Sequence, residues 1–296
     1  MPKTRFDVAK PKIADYFYNM TRRVHSPKQL ITILAEQRNV WNLPDGLSGK
    51  KFIELMMGKL ELKSVDLIYS SIEFTRYVWG EATPFEIAVS LRPKSYLTHY
   101  SAAYLHGLTL QIPKVVYVNA EQPKKPKKGK LSQSAINGAF RRPPRDTNTL
   151  AELGDTKVAL LMGQYTGQLG VIDMTMDDRY QIQVTNLERT LIDMTVRPTY
   201  SGGVFEVLNA FRSAARLGLS VNKLSALLQN LEFVYPYHQA IGFYLDVAGQ
   251  FSDSQIQHFG QFNREFDFYL THQMKDPAYS ETWRIFYPRG LTEQRM

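Results

Sequence analysis

Residues 96–108 read YLTHYSAAYLHGL, and we predict that the fold is organised around this stretch. Tyr96, Tyr100 and Tyr104 recur every four residues, which is the spacing of one face of an α-helix. Gly107 stands where a helix C-terminus favours a residue that can adopt a positive φ. The pattern predicts a single helix over residues 96–108, which joins a small N-terminal unit to a larger C-terminal one.

Composition limits the class of protein. The chain has 296 residues, 44% of them hydrophobic, and is long enough to bury a large core and form two domains. No apolar run approaches the roughly 20 residues of a membrane span, and the basic N-terminus lacks the apolar segment of a signal peptide. We therefore expect a cytoplasmic protein with no membrane partner. Because there is no cysteine, disulfides and thiolate chemistry are excluded.

Three helical patterns precede residue 60, and an alternating hairpin pattern follows them. Ser26-Pro27 and Ser48 are helix starts, with a serine as N-cap and, in the first case, a proline in the first turn. Three short helices followed by a hairpin are typical of a winged helix-turn-helix, whose third helix enters the major groove of DNA. We therefore predict an α+β protein with an N-terminal winged helix-turn-helix at residues 1–90 and a larger mixed α/β domain at residues 91–296.

On this interpretation, the residues that contact DNA lie at the two helix starts and on the wing. Lysines in the first turn of the third helix would meet phosphates or guanine edges. Residues 1–90 hold 13 Lys/Arg and 10 Asp/Glu, a small excess for a DNA reader. A protein-binding helical domain with solvated lysines therefore remains an alternative. The predicted DNA-binding residues are Ser26, Lys28, Ser48, Lys50, Lys51, Lys63 and Arg76.

The positive charge of the chain is concentrated in its middle. Residues 91–145 hold 11 Lys/Arg and 1 Asp/Glu, whereas residues 146–296 hold 12 and 17. Four prolines between 123 and 144 argue against a helix, so we predict a basic loop at about 121–145. Such a loop can follow a phosphate backbone, bind structured RNA or an acidic protein surface, or simply be solvated. The predicted basic surface comprises Lys124, Lys125, Lys127, Lys128, Lys130, Arg141, Arg142 and Arg145.

Three stretches together resemble one known family. They are YLTHYSAAYLHGL (96–108), VTNLERTLIDM followed by RPTYSGG (184–203), and YPYHQAIGFYLDVAG (235–249). In this order they resemble the AbiEi antitoxins of type IV toxin–antitoxin systems, an anti-phage abortive-infection group. The resemblance implies an autorepressor whose winged helix binds inverted repeats in double-stranded DNA of its own promoter. It also implies a C-terminal domain that counteracts a nucleotidyltransferase-like toxin, without a stable complex between the two proteins.

One short motif favours a different function. Pro44-Asp45 and Glu61-Leu62-Lys63 match the PD…ExK nuclease signature, in which two carboxylates hold a divalent metal and the lysine positions water. That chemistry needs both carboxylates on adjacent strands, whereas residues 48–60 have a helical period and Asp45 lies in a turn. A metal-dependent nuclease is therefore kept as the alternative. We expect no enzyme activity, no metal and no cofactor.

Two other sets of residues could be mistaken for catalytic or metal-binding groups. His99 and His106 lie seven residues apart, roughly 10 Å along one helix, which is too far to share one ion. Thr185 and Glu188 have the spacing of a capping box, which would account for the carboxylate without catalysis. We expect all four side chains to be structural.

Overall fold

The chain folds as a mixed α+β protein, as predicted. A computed structural model describes residues 3–126, 130–147 and 149–293. Within these ranges it contains eleven α-helices and three β-sheets. No helix in the described part of the chain is long and apolar enough to cross a membrane.

Residues 3–79 form what we call the N-terminal unit. Its small sheet has the order β1-β3-β2 and is antiparallel throughout. Ile13, Phe17, Leu30, Phe52 and Met56 are buried at its centre, so one face of each helix is apolar. The elements are α1 (Arg5–Tyr18), β1 (Val24–His25), α2 (Pro27–Gln37), α3 (Gly49–Lys59), β2 (Leu62–Ile68) and β3 (Glu73–Trp79).

We call the remainder of the chain the body. Its first part contains a six-stranded mixed sheet. Its strand order is β6-β7-β5-β4-β9-β8. The pairs β5–β7 and β4–β9 are parallel, and the other neighbours are antiparallel. The elements are α4 (Pro84–Val89), β4 (Tyr96–Leu97), α5 (His99–Leu105), β5 (Val115–Glu121), α6 (Gln133–Phe140), β6 (Leu150–Leu153), β7 (Thr156–Gly163), β8 (Val171–Met176) and β9 (Tyr180–Thr185).

A helical layer completes the body. Its largest apolar cluster includes Leu191, Phe211, Leu224, Tyr244 and Trp283, all buried. The three last strands form a small sheet of order β10-β12-β11. The elements are α7 (Leu187–Val196), a 3₁₀ turn (Pro198–Ser201), α8 (Val204–Arg216), α9 (Val221–Leu231), α10 (Tyr237–Ala248), α11 (Asp253–Gly260), β10 (Phe268–Tyr269), β11 (Pro277–Ser280) and β12 (Ile285–Pro288).

The prediction of one helix over residues 96–108 is wrong at its start. Tyr96 and Leu97 form β4, where they pair with Asn119 and Val118 of β5, and the helix begins at His99. The four-residue spacing of tyrosines resembles a helix face, but a central position in the sheet decides the conformation of the first two residues. The stretch thus inserts one short strand into the sheet before it becomes a helix.

Two other local predictions need correction. The basic segment is not a continuous loop, because α6 forms within it between the prolines, with Ser132 as N-cap. The cap of α7 is Asn186, one residue after the predicted Thr185, and its side chain accepts the N–H of Arg189. No capping box forms here; instead, Glu188 pairs with Lys223 at 2.9 Å.

The N-terminal unit and the body share a core. Leu67 and Tyr69 of β2 and Val78 of β3 belong to the same buried cluster as Val116 and Val158 of the body. One face of the β2–β3 hairpin is therefore covered by the body. The domain boundary at residue 90 stays a prediction, but the two parts pack together rather than being joined only by a linker.

Candidate nucleic-acid interface

Helix α2 begins at the predicted serine. Ser26 Oγ accepts the N–H of Gln29, and Gln29 Oε1 accepts the N–H of Ser26 at 2.7 Å, which completes a capping box. Lys28 is exposed in the first turn. The start of α2 is therefore well defined, and it presents one cation to solvent.

The first turn of α3 carries the predicted reading residues. Ser48 is the N-cap, and its hydroxyl accepts the N–H of Lys51 at 3.2 Å. Lys50 is exposed and has no ion-pair partner among the described residues. Lys51 pairs with Glu54 at 3.1 Å, with side chains 61% and 49% exposed. Because an exposed pair of this kind contributes about 0–1 kcal/mol, it leaves Lys51 free to exchange this partner for a phosphate.

A single arginine fixes the loop between α2 and α3, and sequence reasoning missed it. Arg38 Nη1 donates to the carbonyl of Pro44 at 2.5 Å, and Nη2 donates to the carbonyl of Leu47 at 3.0 Å. These bonds hold the turn that leads into Ser48. The sequence offered no signal for this role, because an arginine near a helix end looks like any solvated charge.

The two wing residues have different positions. Lys63 is exposed on β2, where it could meet a backbone phosphate. Arg76 is only 7% exposed, and its guanidinium donates to the carbonyl oxygens of Ser90 and Leu91 at 2.7–3.0 Å. Arg76 therefore ties the hairpin to the body, and we remove it from the predicted DNA-binding set.

A second arginine links the N-terminal unit to the body. Arg23 makes two hydrogen bonds to the carboxylate of Glu86 at 2.7 and 2.8 Å, and contacts Asp177 at 3.2 Å. Its guanidinium also lies 3.9 Å from the ring centroid of Tyr180. A hydrogen bond to the neighbouring Glu86 raises the pKa of Arg23 further. Arg23 and Arg76 thus add polar contacts to the apolar core that the N-terminal unit shares with the body.

The basic surface is exposed where the structure describes it. Lys125 donates to Gln122 Oε1 at 2.6 Å, and the other cations make no ion pair within the described residues. Lys127 and Lys128 lie outside the described residues. The described and exposed members are Lys124, Lys125, Lys130, Arg141, Arg142 and Arg145.

Helix α6 is firmly anchored beneath these arginines. Gln133 exchanges two hydrogen bonds with the backbone of Asp267, at 2.9 and 2.8 Å. The Phe140 ring stacks on His272 with a centroid distance of 4.5 Å, and on Tyr269 at 5.4 Å. His272 Nδ1 donates to the carbonyl oxygen of Arg142 at 3.0 Å. The backbone that carries the arginines is therefore held by the body, while their side chains face solvent.

A buried polar cluster joins the stretches 96–108 and 184–203. Thr98 donates to Asp193 Oδ2 at 2.7 Å, and Arg189 Nε donates to Asp193 Oδ1 at 2.8 Å. All three residues are at most 6% exposed. Burial opposes the charge of Arg189, but Asp193 outweighs it, so the pKa of Arg189 is raised. Arg189 and Asp193 have the i, i+4 spacing of a helical ion pair, but that spacing alone does not reveal that the pair is buried.

The two histidines of the central stretch are structural rather than a shared site. His106 Nε2 donates to the carbonyl oxygen of Thr185 at 2.6 Å. His99 has a φ of 52° and packs edge-on against the Tyr200 ring. Burial lowers the pKa of His99 to about 4, so the ring is neutral at pH 7.

The nuclease signature does not fall on two adjacent strands. Asp45 lies in the turn between α2 and α3, and Glu61 lies in the bend that precedes β2. Lys63 is the one member of the motif that lies on a strand. Among the residues that the structure describes, no group of three or more His, Cys, Asp or Glu could hold a metal ion.

Comparison with known proteins shows likeness at the level of the fold. No family model and no curated protein matches the chain. The chain is similar in structure to the RV2827C protein from Mycobacterium tuberculosis, with a TM-score of 0.55 and 11% sequence identity. The similarity covers 94% of this chain and 91% of that one. At this identity, the two proteins are shown to share an overall fold only.

Proposed function

We propose that this protein is a DNA-binding transcriptional autorepressor and not an enzyme. The observation that carries the proposal is the order α1-β1-α2-α3-β2-β3 of the N-terminal unit, with the first turn of α3 exposed. This order supports the proposal of a winged helix-turn-helix, in which α3 would enter the major groove and the β2–β3 hairpin would be the wing. Two such units on inverted repeats would give repression of the protein's own promoter.

The charges of α3 support contact with DNA, although they are few. Lys50 is exposed, Lys51 has only an exposed partner, and Lys28 and Lys63 flank them on α2 and β2. Lys59 is engaged elsewhere, since it pairs with Asp7 of α1 at 2.8 Å. The proposed contacts are therefore made by Ser26, Lys28, Ser48, Lys50, Lys51 and Lys63.

We further propose an antitoxin role of the AbiEi type for the body. The Thr98–Asp193 and His106–Thr185 hydrogen bonds connect the stretches at 96–108 and 184–203, which are distant in sequence. This supports treating these stretches as one folded unit. The partner would be a nucleotidyltransferase-like toxin that the body counteracts in the cytoplasm, in defence against phage and without a stable complex.

A mobility-shift titration tests the repressor role. The probes are the DNA directly upstream of the gene and a scrambled duplex of equal length, each across a salt series. We expect the native duplex to bind more tightly, in two steps for paired half-sites.

The variant Lys50→Ala with Lys51→Ala should lose affinity for the native duplex. Lys157→Ala with Lys275→Ala, which removes the same charge from the body, is the matched control. If the Lys50→Ala and Lys51→Ala variant bound the native duplex as tightly as the parent, the assignment of these two lysines to DNA contact would be overturned.

Co-expression tests the antitoxin role separately. The protein is produced from an unrelated promoter together with the toxin encoded beside it, and growth is measured. We expect growth to be restored by the parent and by the Lys50→Ala and Lys51→Ala variant, because neutralisation would not need the promoter. Growth arrest in the presence of the parent protein would remove the antitoxin role and leave the repressor role intact.

A further inference from the structure

Three arginines follow α6 closely and have no acidic partner among the residues that the structure describes. Arg141, Arg142 and Arg145 are exposed, and none of them makes an ion pair within the described residues. Two other arginines of the body differ, since Arg284 pairs with Asp267 at 2.9 Å and Arg289 with Asp276 at 2.7 Å, whereas the exposed Arg216 donates to the Ser213 hydroxyl at 3.1 Å.

The backbone beneath these arginines is fixed. The carbonyl of Phe140 accepts the N–H of Gln273 at 2.9 Å, and that of Arg145 accepts the hydroxyl of Tyr200 at 3.4 Å. Pro143 and Pro144 restrict the chain between them. Three unpaired guanidinium groups on a fixed backbone match a series of phosphates, because guanidinium forms two parallel bonds to such oxygens.

The chain length bounds the distance between this set and the hairpin of the N-terminal unit. Arg145 is six residues before Ala151 of β6, so their Cα atoms are at most about 22 Å apart, and Arg141 is at most about 36 Å away. Ala151 belongs to the same buried cluster as Leu67 and Tyr69 of β2. Since base pairs are spaced by about 3.4 Å, the arginines lie within roughly 11 base pairs of Ala151, whose strand β6 packs against β2 of the hairpin.

The N-terminal unit alone supplies few phosphate contacts. Lys50 and Lys63 are its exposed, unpaired cations on α3 and β2 among the described residues, whereas Lys59 is paired. Phosphate neutralisation supplies a large share of DNA affinity, so a duplex bound there gains from further cations within reach. Arg141, Arg142 and Arg145 are such cations, and the shared core keeps them at a fixed distance.

We infer that Arg141, Arg142 and Arg145 bind the phosphate backbone of the duplex that flanks the operator half-site. The inference rests on the proposed repressor function and extends it to a second surface that does not read sequence. The duplex runs past the hairpin and over the exposed side of α6. Gly138 lies on that side, where an added Cβ meets nothing within 4 Å.

Two probe lengths and two kinds of variant test the inference. One duplex holds the half-sites alone, and the other extends them by 12 base pairs of scrambled sequence on each side. The first variant is Arg141→Ala, Arg142→Ala and Arg145→Ala together. Its matched control is Arg216→Ala, Lys275→Ala and Arg289→Ala, which removes three charges from other parts of the body. The second pair is Gly138→Glu, which adds a repelling charge, and Gly138→Ala, which adds only a methyl group.

We expect the parent to bind the longer duplex more tightly and the triple variant to lose most of that gain. Three lost contacts reduce the slope of log K against log salt by about 2.7, which is roughly a ten- to hundredfold loss of affinity near physiological salt. Gly138→Glu should weaken binding to the longer duplex, whereas Gly138→Ala should not. Circular dichroism and denaturation midpoints of every variant report whether the fold is retained.

The outcomes separate this inference from the proposed function. If the parent prefers operator DNA, but neither the added flanks nor the triple variant changes its affinity, the inference is overturned and the proposed repressor function stands. If the flanks raise affinity but the protein does not prefer operator DNA, the arginine surface is supported and the proposed repressor function is overturned. If the triple variant loses the same affinity for both probe lengths, the three arginines do not contact the flanking duplex. Tighter competition by duplex RNA than by DNA of equal length would make RNA the partner and overturn the inference as stated.

Discussion

An added Cβ on Gly49 would lie 2.6 Å from Cγ1 of Ile31, so the start of α3 approaches α2 more closely than a side chain permits. Ile31 is 48% exposed and can turn partly away. We therefore expect Gly49→Ala to lower the free energy of unfolding by about 1 kcal/mol, the lower end of overpacking costs, and to shift the first turn of α3. Urea denaturation measures the first effect and, under the proposed function, operator affinity measures the second.

The Ile31→Ala background is the control for this clash. With the isoleucine truncated, Gly49→Ala has room and should be neutral or slightly stabilising, because alanine is the better helix former. The double-mutant cycle should then give a clear interaction energy. If Gly49→Ala has the same cost in both backgrounds, the close approach to Ile31 is not what requires glycine here.

Arg76→Ala should destabilise the protein but, under the proposed function, should not weaken its binding to DNA. Truncation leaves the carbonyl oxygens of Ser90 and Leu91 without the donor that now satisfies them. Such a loss costs about 2–4 kcal/mol. Under the proposed function, the folded fraction should keep its operator affinity and salt slope, as measured by titration at low temperature.

Lys63→Ala is the matched comparison on the same hairpin. Lys63 is exposed, so its loss should change stability by less than about 0.5 kcal/mol. Under the proposed function, it should also reduce the salt slope by about 1. A result in which Arg76→Ala changes the slope and Lys63→Ala does not would reverse our assignment of the two residues.

Local signals in the sequence predicted helix starts well, because caps depend on neighbouring residues. Ser26 and Ser48 cap α2 and α3 as predicted. The α+β class also followed from the order of helical and alternating patterns. For Tyr96 and Leu97 the local signal failed, since strands far along the chain, β5 and β9, provide their partners.

The candidate site was only partly predictable for the same reason. Exposure of Lys28, Lys50 and Lys63 is what a solvated helix start and hairpin would give. The burial of Arg76 could not be foreseen, because it depends on carbonyl oxygens after α4 that meet β3 only in the folded chain. The hairpin pattern showed alternation, but it did not show that the body would cover the apolar face.

Asp193→Ala should be among the most damaging single changes in the body. It removes the partner of Arg189, which is 5% exposed, and the acceptor of the Thr98 hydroxyl. Leaving a buried charge without its partner costs about 3–5 kcal/mol. The double variant Arg189→Met with Asp193→Leu removes both charges and should recover much of that loss in urea denaturation.

Asp173→Ala is the control for this carboxylate. Asp173 is exposed and accepts a hydrogen bond from Gln183 at 2.6 Å, so its loss should cost less than about 1 kcal/mol. If the double variant were no more stable than Asp193→Ala, the damage would come from lost packing or from Thr98 rather than from the stranded charge.

Two buried histidines should make the fold sensitive to mild acid. Burial lowers the pKa of His25 and of His99 to about 4, and the nearby Arg22 lowers the pKa of His25 further. An unfolded histidine has a pKa near 6.5, so between about pH 6.5 and 4 the unfolded chain binds more protons than the folded one. Stability is therefore fully present above about pH 6.5 and is lost as the pH falls towards 4.

Urea midpoints measured from pH 7.5 to 4 test this dependence. His99→Gln and His25→Gln should each flatten the decline, and the two together should flatten it most, whatever their effect on stability at pH 7.5. Asp7 titrates in another window, because the Lys59 hydrogen bond lowers its pKa and its contribution is lost only below about pH 4. Asp7→Asn should therefore leave the decline between pH 6.5 and 4 unchanged. A parent protein with constant midpoints across that range would contradict the buried, neutral state of both histidines.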